Sequence, residues 1–592
     1  MIGGIIKLYH CLIFFIFLLF AIRLYSIQVL NRDYASLASR NYVKQDIEFP
    51  CRGIIYDRYG RVLAENIISY EIFVSIKDIS EEALKSFCKD FNLKDDIKKK
   101  ILEKIKQKEK QPIFVSRLSQ KEWDLLQEKI IFYPFVSIQP KIVRNYRYAH
   151  LSHVIGYISE INADDLETKK NLSQNYSQGD LIGVSGLEVS YEELLRGTKG
   201  LSYKVVDVYG RVKESYSKEA YDKPSIEGQN ITTTIDLDLQ EYCAKLLKGK
   251  MGCIIALEPK TGEVLALVSS PDYDSNYFTN RNFEKIIEIS KSPDRPLYNR
   301  VINAKYPPGS HFKLIQSAIG LHLKIINYDS KFKCDQDYIK CHYHPPINNV
   351  LMAIQYSCNP YFGFLFKKII ESEVGINKFD SSRLGLEKWV NEVKKFGFGG
   401  KIGIDLPYES SGFIPNVNFY DQIHGYKNWK QSTIRSLDIG QGELLITPLQ
   451  MVNLATIIAN RGFYFTPHLV KKTDESPRLF KLNYDKKIFD YLALSMEASA
   501  SAGCARRSYV PNLNVCAKTG TAQNPHGADH STTIAFAPRD SPQIAVAVYV
   551  ENAGWGGRAA AAAAGLVIEY YLNKKISRKY MEEFVLQGNF LY

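Results

Sequence analysis

One apolar run constrains this chain more than any other feature. Residues 8–22 (LYHCLIFFIFLLFAI) contain no Asp, Glu, Lys or Arg. A membrane-spanning helix needs roughly 20 apolar residues. This run is shorter, but it continues past Arg23 as LYSIQVL, and a long arginine side chain can reach an interface. No small-x-small site follows it, which argues for an uncleaved anchor over a cleaved signal peptide. A second apolar stretch, residues 559–568, is far too short to span and reads as a buried helix closing the chain. The chain is therefore expected to carry one anchor and to fold everything else on one side of a membrane. The flanking charges leave the orientation open, because Lys7 precedes the run while Arg23 and Arg32 follow it.

The remainder must bury its own core. With 592 residues there is length for about three or four domains. A content of 45% hydrophobic and 24% charged residues is that of ordinary globular protein. The net charge of +12 is compatible with an anionic partner, but no Arg-rich tract or nucleic-acid motif accompanies it, so no nucleic-acid partner is expected. The ten cysteines are spread along the chain rather than arranged as a disulfide framework.

Residues 1–30 read as a tip and anchor. Residues 31–235 mix strand-like alternation with Lys/Glu-rich helical stretches, among them 98–110 (KKKILEKIKQKEK), a solvated charged face. From residue 236 to 592 the character changes. Residues 252–270 (GCIIALEPKTGEVLALVSS) read as strand, tight turn, strand. In YPPGSHFK the Pro-Pro-Gly run stops one segment, and Ser310 stands at a helix start. The helix that follows (Phe312, Leu314, Ile315, Ala318, Ile319, Leu321) is apolar nearly all round and so belongs in a core. Strands are expected over 515–522, 533–537 and 543–551, with an Ala-rich helix after Arg558. Helices and an antiparallel sheet in one domain make the fold class α+β.

The pattern Ser-x-x-Lys is common by chance, and three other instances occur, starting at Ser86, Ser215 and Ser330. Ser310 and Lys313 differ in context. Residues i and i+3 share a helix face, which brings the lysine amine within reach of the hydroxyl. A surrounding core would desolvate Lys313 and make a neutral base available. Two more elements follow in order: Ser357-Cys358-Asn359, then Lys518-Thr519-Gly520 with Thr521. Lys260-Thr261-Gly262 repeats the last triplet, but it precedes the serine and sits in a hairpin turn, so it is assigned to structure.

The ordered set Ser-x-x-Lys, Ser-x-Asn, Lys-Thr-Gly resembles that of serine acyltransferases that include penicillin-binding proteins and class A β-lactamases. RGIIYDRYG from Arg52, GLEVSYEELLRG from Gly186, IGQGELLITPLQ from Ile439 and DHSTTIAFAP from Asp529 extend the likeness over almost the whole chain. They look like the class B penicillin-binding proteins, and most like their elongation-specific branch. The resemblance implies a cytoplasmic N-terminus, an inner-membrane anchor, an elongated pedestal or dimerisation-like domain over 31–235, and a periplasmic transpeptidase domain over 236–592. It implies that Ser310 attacks a peptidoglycan stem pentapeptide, Lys313 takes its proton, and Ser357 relays a proton to the leaving D-Ala. Asn359 and Lys518 would hold the network, and Lys518, Thr519 and Thr521 would bind the terminal carboxylate beside Gly520. β-Lactams would trap Ser310, and a membrane-embedded glycan polymerase in an elongation complex would be the partner. Family members usually have Thr at the position of His311; a histidine there points off the Ser310–Lys313 face and reads as a tolerated exchange at the helix surface, with an altered groove or acylation pH profile as the alternative.

Cys334, Cys341, His344 and Cys358 make a tetrahedral zinc set of three thiolates and an imidazole, with His342 as a competing ligand. Some relatives carry zinc between the first two motifs, which the resemblance extends to this chain as a structural ion; the chemistry itself requires no cofactor. A Cys334–Cys341 disulfide or free thiols are the alternatives. The rival functions are a division-specific transpeptidase, a β-lactam hydrolase, for which no residue suggests a water-activating base, and an antibiotic sensor, for which no output domain is visible.

Overall fold

The computed structural model describes residues 2–30, 43–75, 79–93, 95–107, 112–161, 176–207, 212–471 and 476–591. Arg32 and residues 108–110, read above from sequence, lie outside them. The chain is α+β. The apolar run is a helix, Ile2–Tyr25, and among the described residues one stretch, Leu8–Gln28, is long and apolar enough to cross a membrane, none of it buried.

The chain divides into two compact units, Met1–Gly53 with Glu193–Gln229, and Ile54–Glu192 with Asn230–Tyr592. The first contains an antiparallel three-stranded sheet, in which Val43–Glu48 pairs with Gly200–Val206 and that strand with Val212–Ser215. The second contains a five-stranded sheet built on the long strand Val62–Val74, which pairs with both Ile113–Ser119 and Val136–Tyr146. Helix Glu81–Asp90 buries Leu84 and Phe87 in the core cluster that this sheet's Ile72 and Val74 also join. The GLE motif serves this unit as structure: Glu188 and Arg144, both fully buried, form an ion pair at 2.8 Å.

The site is built on a second sheet in the same unit. Its strands are β1 (Gly252–Leu257), β2 (Val264–Ser270), β3 (Cys516–Ala522), β4 (His530–Ala537) and β5 (Ile544–Val550), in the order β2-β1-β5-β4-β3, all antiparallel. The turn joining β1 to β2 contains Lys260-Thr261-Gly262, with Gly262 at φ +81°, so that triplet is a hairpin turn as the sequence indicates. Of the helices used below, α1 (Leu237–Leu247), α5 (Pro448–Ala459), α6 (Lys486–Ala502) and α7 (Ala559–Asn573) pack on the sheet, while α2 (Phe312–His322), α3 (Val350–Gln355), α4 (Asn359–Ile370) and α8 (Lys579–Gln587) pack on other helices.

Side chains alternate faces along a strand. Ile254, Ala535, Val546 and Val548 point into one core with α1, α7 and α8. Helix α7 opens with six buried alanines, Ala559 to Ala564, which lets that part lie close to the sheet. The sequence expected that helix to close the chain; α8 follows it and buries Met581 and Val585. Every residue of α5 is buried, and so is every residue of α2 from Phe312 to Leu321. A helix apolar on all sides has no solvent face to offer. Strand β3 lies at the sheet edge, so its free side can line a groove.

Candidate active site

Gly309 has φ +57°, and a Cβ there would stand 2.7 Å from the Thr521 carbonyl oxygen. Glycine is therefore what lets this turn press against β3. The Gly309 N–H donates to the Gly440 carbonyl at 2.8 Å, which holds the turn from its other side. Ser310 is the middle residue of the 3-10 turn Gly309–His311 and is half-buried. Helix α2 begins immediately after, with Lys313 in its first turn.

Lys313 is fully buried. Its Nζ donates to Asn359 Oδ1 at 2.6 Å, to the Ser357 carbonyl at 2.8 Å and to Ser357 Oγ at 3.1 Å. The sequence put this amine within reach of the Ser310 hydroxyl; its hydrogen bonds run to the second motif. An ammonium has three donors, and a buried one must satisfy them all; the Ser357 turn supplies the acceptors. Burial, with the nearby Lys518 charge as second cause, brings Lys313 down to about 7. A neutral amine is therefore accessible near neutral pH.

Ser357 sits in the turn between α3 and α4 with φ +55°, a conformation unusual for a side-chain-bearing residue. Its hydroxyl lies between two lysines, 3.1 Å from Lys313 Nζ and 2.9 Å from Lys518 Nζ. Lys518 is also fully buried, and burial lowers its pKa. Its other bonds go to the Thr519 carbonyl at 2.9 Å and to Cys504 Sγ at 3.6 Å. Asn359 donates from Nδ2 to the Lys340 carbonyl at 2.8 Å. The three motifs, far apart in sequence, thus meet around one hydroxyl.

Thr519 and Thr521 continue along β3. Thr519 Oγ1 donates to Cys504 Sγ at 3.1 Å, and Thr521 Oγ1 accepts from the Gly556 N–H at 3.1 Å. The Thr521 carbonyl accepts from Gln441 Nε2 at 2.8 Å. Gly520 has no room for a side chain: a Cβ would stand 2.9 Å from the Pro308 carbonyl oxygen and 3.1 Å from His311 Cε1.

That last contact corrects one expectation. His311 is not at a helix surface; it is fully buried beneath β3, and no hydrogen bond of ordinary geometry reaches its ring nitrogens, although the backbone of Lys518 and Thr532 lies near them. Helical spacing turns it away from Ser310 and Lys313, but the sheet covers that direction too. Burial, with Lys518 as second cause, pushes the imidazole down to about 3, so it is neutral at any physiological pH. Three further groups were given no role by the sequence reading. Cys504, just past α6, reaches Lys518 and Thr519, and no motif announces it. Asp438 is buried on the turn Arg435–Ile439, and burial raises it to about 7. Gln441 lies inside the IGQGELLITPLQ box, which the sequence marked as family likeness without giving this side chain a contact.

The four sequence-predicted metal ligands also come together. The donor atoms of Cys334, Cys341, His344 and Cys358 lie within 4.8 Å of one another. His344 Nε2 is 3.5 Å from both Cys334 Sγ and Cys341 Sγ. Its Nδ1 bonds the Pro345 carbonyl at 2.7 Å, which fixes the tautomer that leaves Nε2 open toward the sulfurs. The rival, His342, turns its Nε2 to the Tyr356 carbonyl at 2.7 Å. None of the ten cysteines is in a disulfide, Cys334 and Cys341 included. The donor set and its orientation fit a tetrahedral thiophilic ion.

A nucleophile turn, two buried lysines joined through a serine, and an edge strand define a serine acyltransferase site of the penicillin-recognising kind. Residues 252–569 match the family model for the penicillin-binding protein transpeptidase domain, and residues 47–233 that for the penicillin-binding protein dimerisation domain. The chain belongs to the class B penicillin-binding proteins. It is 31% identical to the peptidoglycan D,D-transpeptidase MrdA of Acinetobacter baumannii, over 94% of this chain and 85% of that protein. The penicillin-binding protein PBP2 of Helicobacter pylori, solved in complex with MreC, superposes with a TM-score of 0.73 at 24% identity, covering 90% of this chain and all of that one. A peptidoglycan synthase complex, described as coordinating polymerization and crosslinking, contains a chain that superposes with a TM-score of 0.71 at 25% identity, over 96% of this chain and 99% of that one.

Proposed function

We propose that this protein is a peptidoglycan D,D-transpeptidase of cell elongation, and that residues 236–592 carry the reaction while 31–235 form its pedestal. The observation that carries the assignment of roles is the Ser357 hydroxyl, hydrogen-bonded at once to two buried lysines. A hydroxyl so placed can take a proton from one amine and pass one on. Ser310 attacks the carbonyl of the penultimate D-Ala of a stem pentapeptide, and neutral Lys313 accepts its proton. The proton passes through Ser357 to the amine of the leaving D-Ala. Asn359 keeps Lys313 in place. Lys518, Thr519 and Thr521 bind the terminal carboxylate along β3, and Gly520 leaves the strand bare enough for the substrate to approach. The backbone N–H groups of Ser310 and Thr521 supply the oxyanion hole. An amine of a neighbouring stem then takes the acyl group from Ser310, giving a 4→3 cross-link. A β-lactam is trapped by the same first step.

Cys334, Cys341, His344 and Cys358 would hold a structural Zn²⁺. It supplies no chemistry to acyl transfer. Cys358 follows Ser357 directly, and the Asn359 N–H donates to Cys341 Sγ at 3.3 Å, so this cluster steadies the Ser357 turn. The apolar Leu8–Gln28 segment anchors the chain in the inner membrane, with the N-terminus cytoplasmic and the catalytic domain periplasmic. A membrane-embedded glycan polymerase is the proposed partner, supported by the likeness to the chain of the synthase complex.

The test is the intact mass of the detergent-solubilised full chain after exposure to a penicillin, for wild type and Ser310→Ala. The expected result is an adduct on wild type alone that persists for many minutes. Rapid loss of the adduct with drug hydrolysis would assign the site to a β-lactam hydrolase. No adduct on either protein would refute Ser310 as the nucleophile.

A further inference from the structure

Cys504 lies at the carboxylate end of the groove described above, and the transpeptidase chemistry does not use it. Its sulfur receives three polar contacts: Thr519 Oγ1 at 3.1 Å, Ser499 Oγ at 3.3 Å and Lys518 Nζ at 3.6 Å. Its own N–H is anchored to the Gln355 carbonyl at 3.1 Å, which ties it to the helix just before Ser357. The thiol is half-buried. Two of its three neighbours, Lys518 and Thr519, are the groups assigned to the substrate's terminal carboxylate.

We propose that Cys504 is a positioning residue whose neutral thiol holds Lys518 and Thr519 ready for the substrate carboxylate, and whose ionisation turns that end of the groove off. The inference rests on the transpeptidase reading given above. Thr519 donates to a neutral sulfur weakly and can redirect its hydroxyl to an incoming carboxylate. A thiolate would keep that hydroxyl and pair with the Lys518 ammonium, cancelling the positive charge the substrate needs. The charged groups facing the sulfur are Lys518 from β3 and, further off, Lys313 from α2, with the hydroxyls of Ser499 and Thr519 beside them. Burial pushes the thiol up, but Lys518 and the two hydroxyls outweigh it and bring it down to about 7. A thiolate also favours the protonated form of Lys313, which opposes base catalysis. Both routes act in one direction, so activity is lost as pH rises through the thiol's ionisation.

The experiment measures the second-order rate of Ser310 acylation by a penicillin, which carries a carboxylate at the corresponding place. Wild type and Cys504→Ser, both full-length in detergent, are compared from pH 5.5 to 9. Cys504→Ser removes the thiolate's pull on Lys313 as well, so the ratio of variant to wild-type rate reads both routes together. It is expected to be flat below pH 6 and to rise about tenfold by pH 8.5, the size of one charge-assisted hydrogen bond. A ratio independent of pH overturns the proposal and leaves Cys504 a packing residue. If wild type is not acylated at all, it is the transpeptidase reading that fails, not this one. Should Cys504→Ser not fold, iodoacetamide labelling of wild-type Cys504 is read by peptide mass. Half-maximal labelling near pH 7, slowed by prior acylation of Ser310, supports the proposal; the profile of an ordinary thiol, near pH 8.5, overturns it.

Discussion

Replacing His311 with Thr should make the protein more resistant to acid, although it removes a buried ring. The imidazole is held neutral, at about 3 against 6.5 in the unfolded chain. Its folded value is depressed, so the stability it confers is present above pH 6.5 and is lost as pH falls towards 3. Each pH unit inside that window costs about 1.4 kcal/mol. Between pH 7 and pH 4.5 this single group therefore withdraws about 3 kcal/mol from the folded state. Threonine does not titrate, so His311→Thr escapes that loss. The cavity left by the smaller side chain costs about 1 kcal/mol at every pH, and it cancels when each protein is compared with itself. His153, buried and pushed down to about 4, titrates in both proteins and cancels likewise. Urea unfolding of the full chain in detergent, followed by tryptophan fluorescence, provides the readout, since Trp389 and Trp429 are both buried in the catalytic unit. The acid-induced loss should be smaller in His311→Thr by 2–3 kcal/mol, that is about two pH units of proton linkage. Equal losses in the two proteins would refute the account of a neutral ring trapped beneath β3.

Three further outcomes are expected. Acylation of wild type should show an acid limb near pH 7, where Lys313 gains its proton, and Lys313→Met should lose about 10²–10⁴-fold in acylation rate at pH 8 while keeping its thermal transition. Gly309→Ala drives a Cβ to 2.7 Å from the Thr521 oxygen at positive φ, so Ser310 and β3 must part, and the acylation rate should fall at least tenfold with little change in overall fold, read by circular dichroism. Glu188→Gln leaves Arg144 buried without its counter-charge and should cost about 3–5 kcal/mol in the stability of its own unit, read by denaturant unfolding.

The sequence displayed those parts of the site whose geometry is local. Ser310 and Lys313 are one helical turn apart, so their shared face follows from the period alone. The β1–β2 hairpin and the decoy at Lys260 were legible because turn chemistry is local too. Lys313's preference for Ser357 and Asn359 was not, since it depends on which acceptors a distant turn brings into a desolvated pocket. His311 was misplaced for a related reason. Helical period tells which side of α2 a residue occupies, but not that β3 covers the opposite side as well. Cys504 carried no signal, because an isolated Gly-Cys-Ala acquires meaning only when the end of α6 is laid beside Lys518. The Cys334, Cys341, His344 and Cys358 cluster was legible as donor types, while the choice of His344 over His342 depended on where each ring found its second hydrogen bond.

The hydroxyl of Ser357 couples two amines that burial discourages from being charged together. A pair of ammonium groups a few ångströms apart in a dry pocket repel strongly, so the cluster is best served by a single excess proton, free to reside on either side of the serine. Acyl transfer from one amine to another consumes no net proton: in the proposed cycle the one released by Ser310 is the one the departing D-Ala requires, and the incoming amine returns it. A site with one mobile proton can thus complete a whole turnover as a closed circuit, with no exchange with bulk water. Water is also the competing acyl acceptor, and a catalyst that need never admit it for its protons can be built to keep it out.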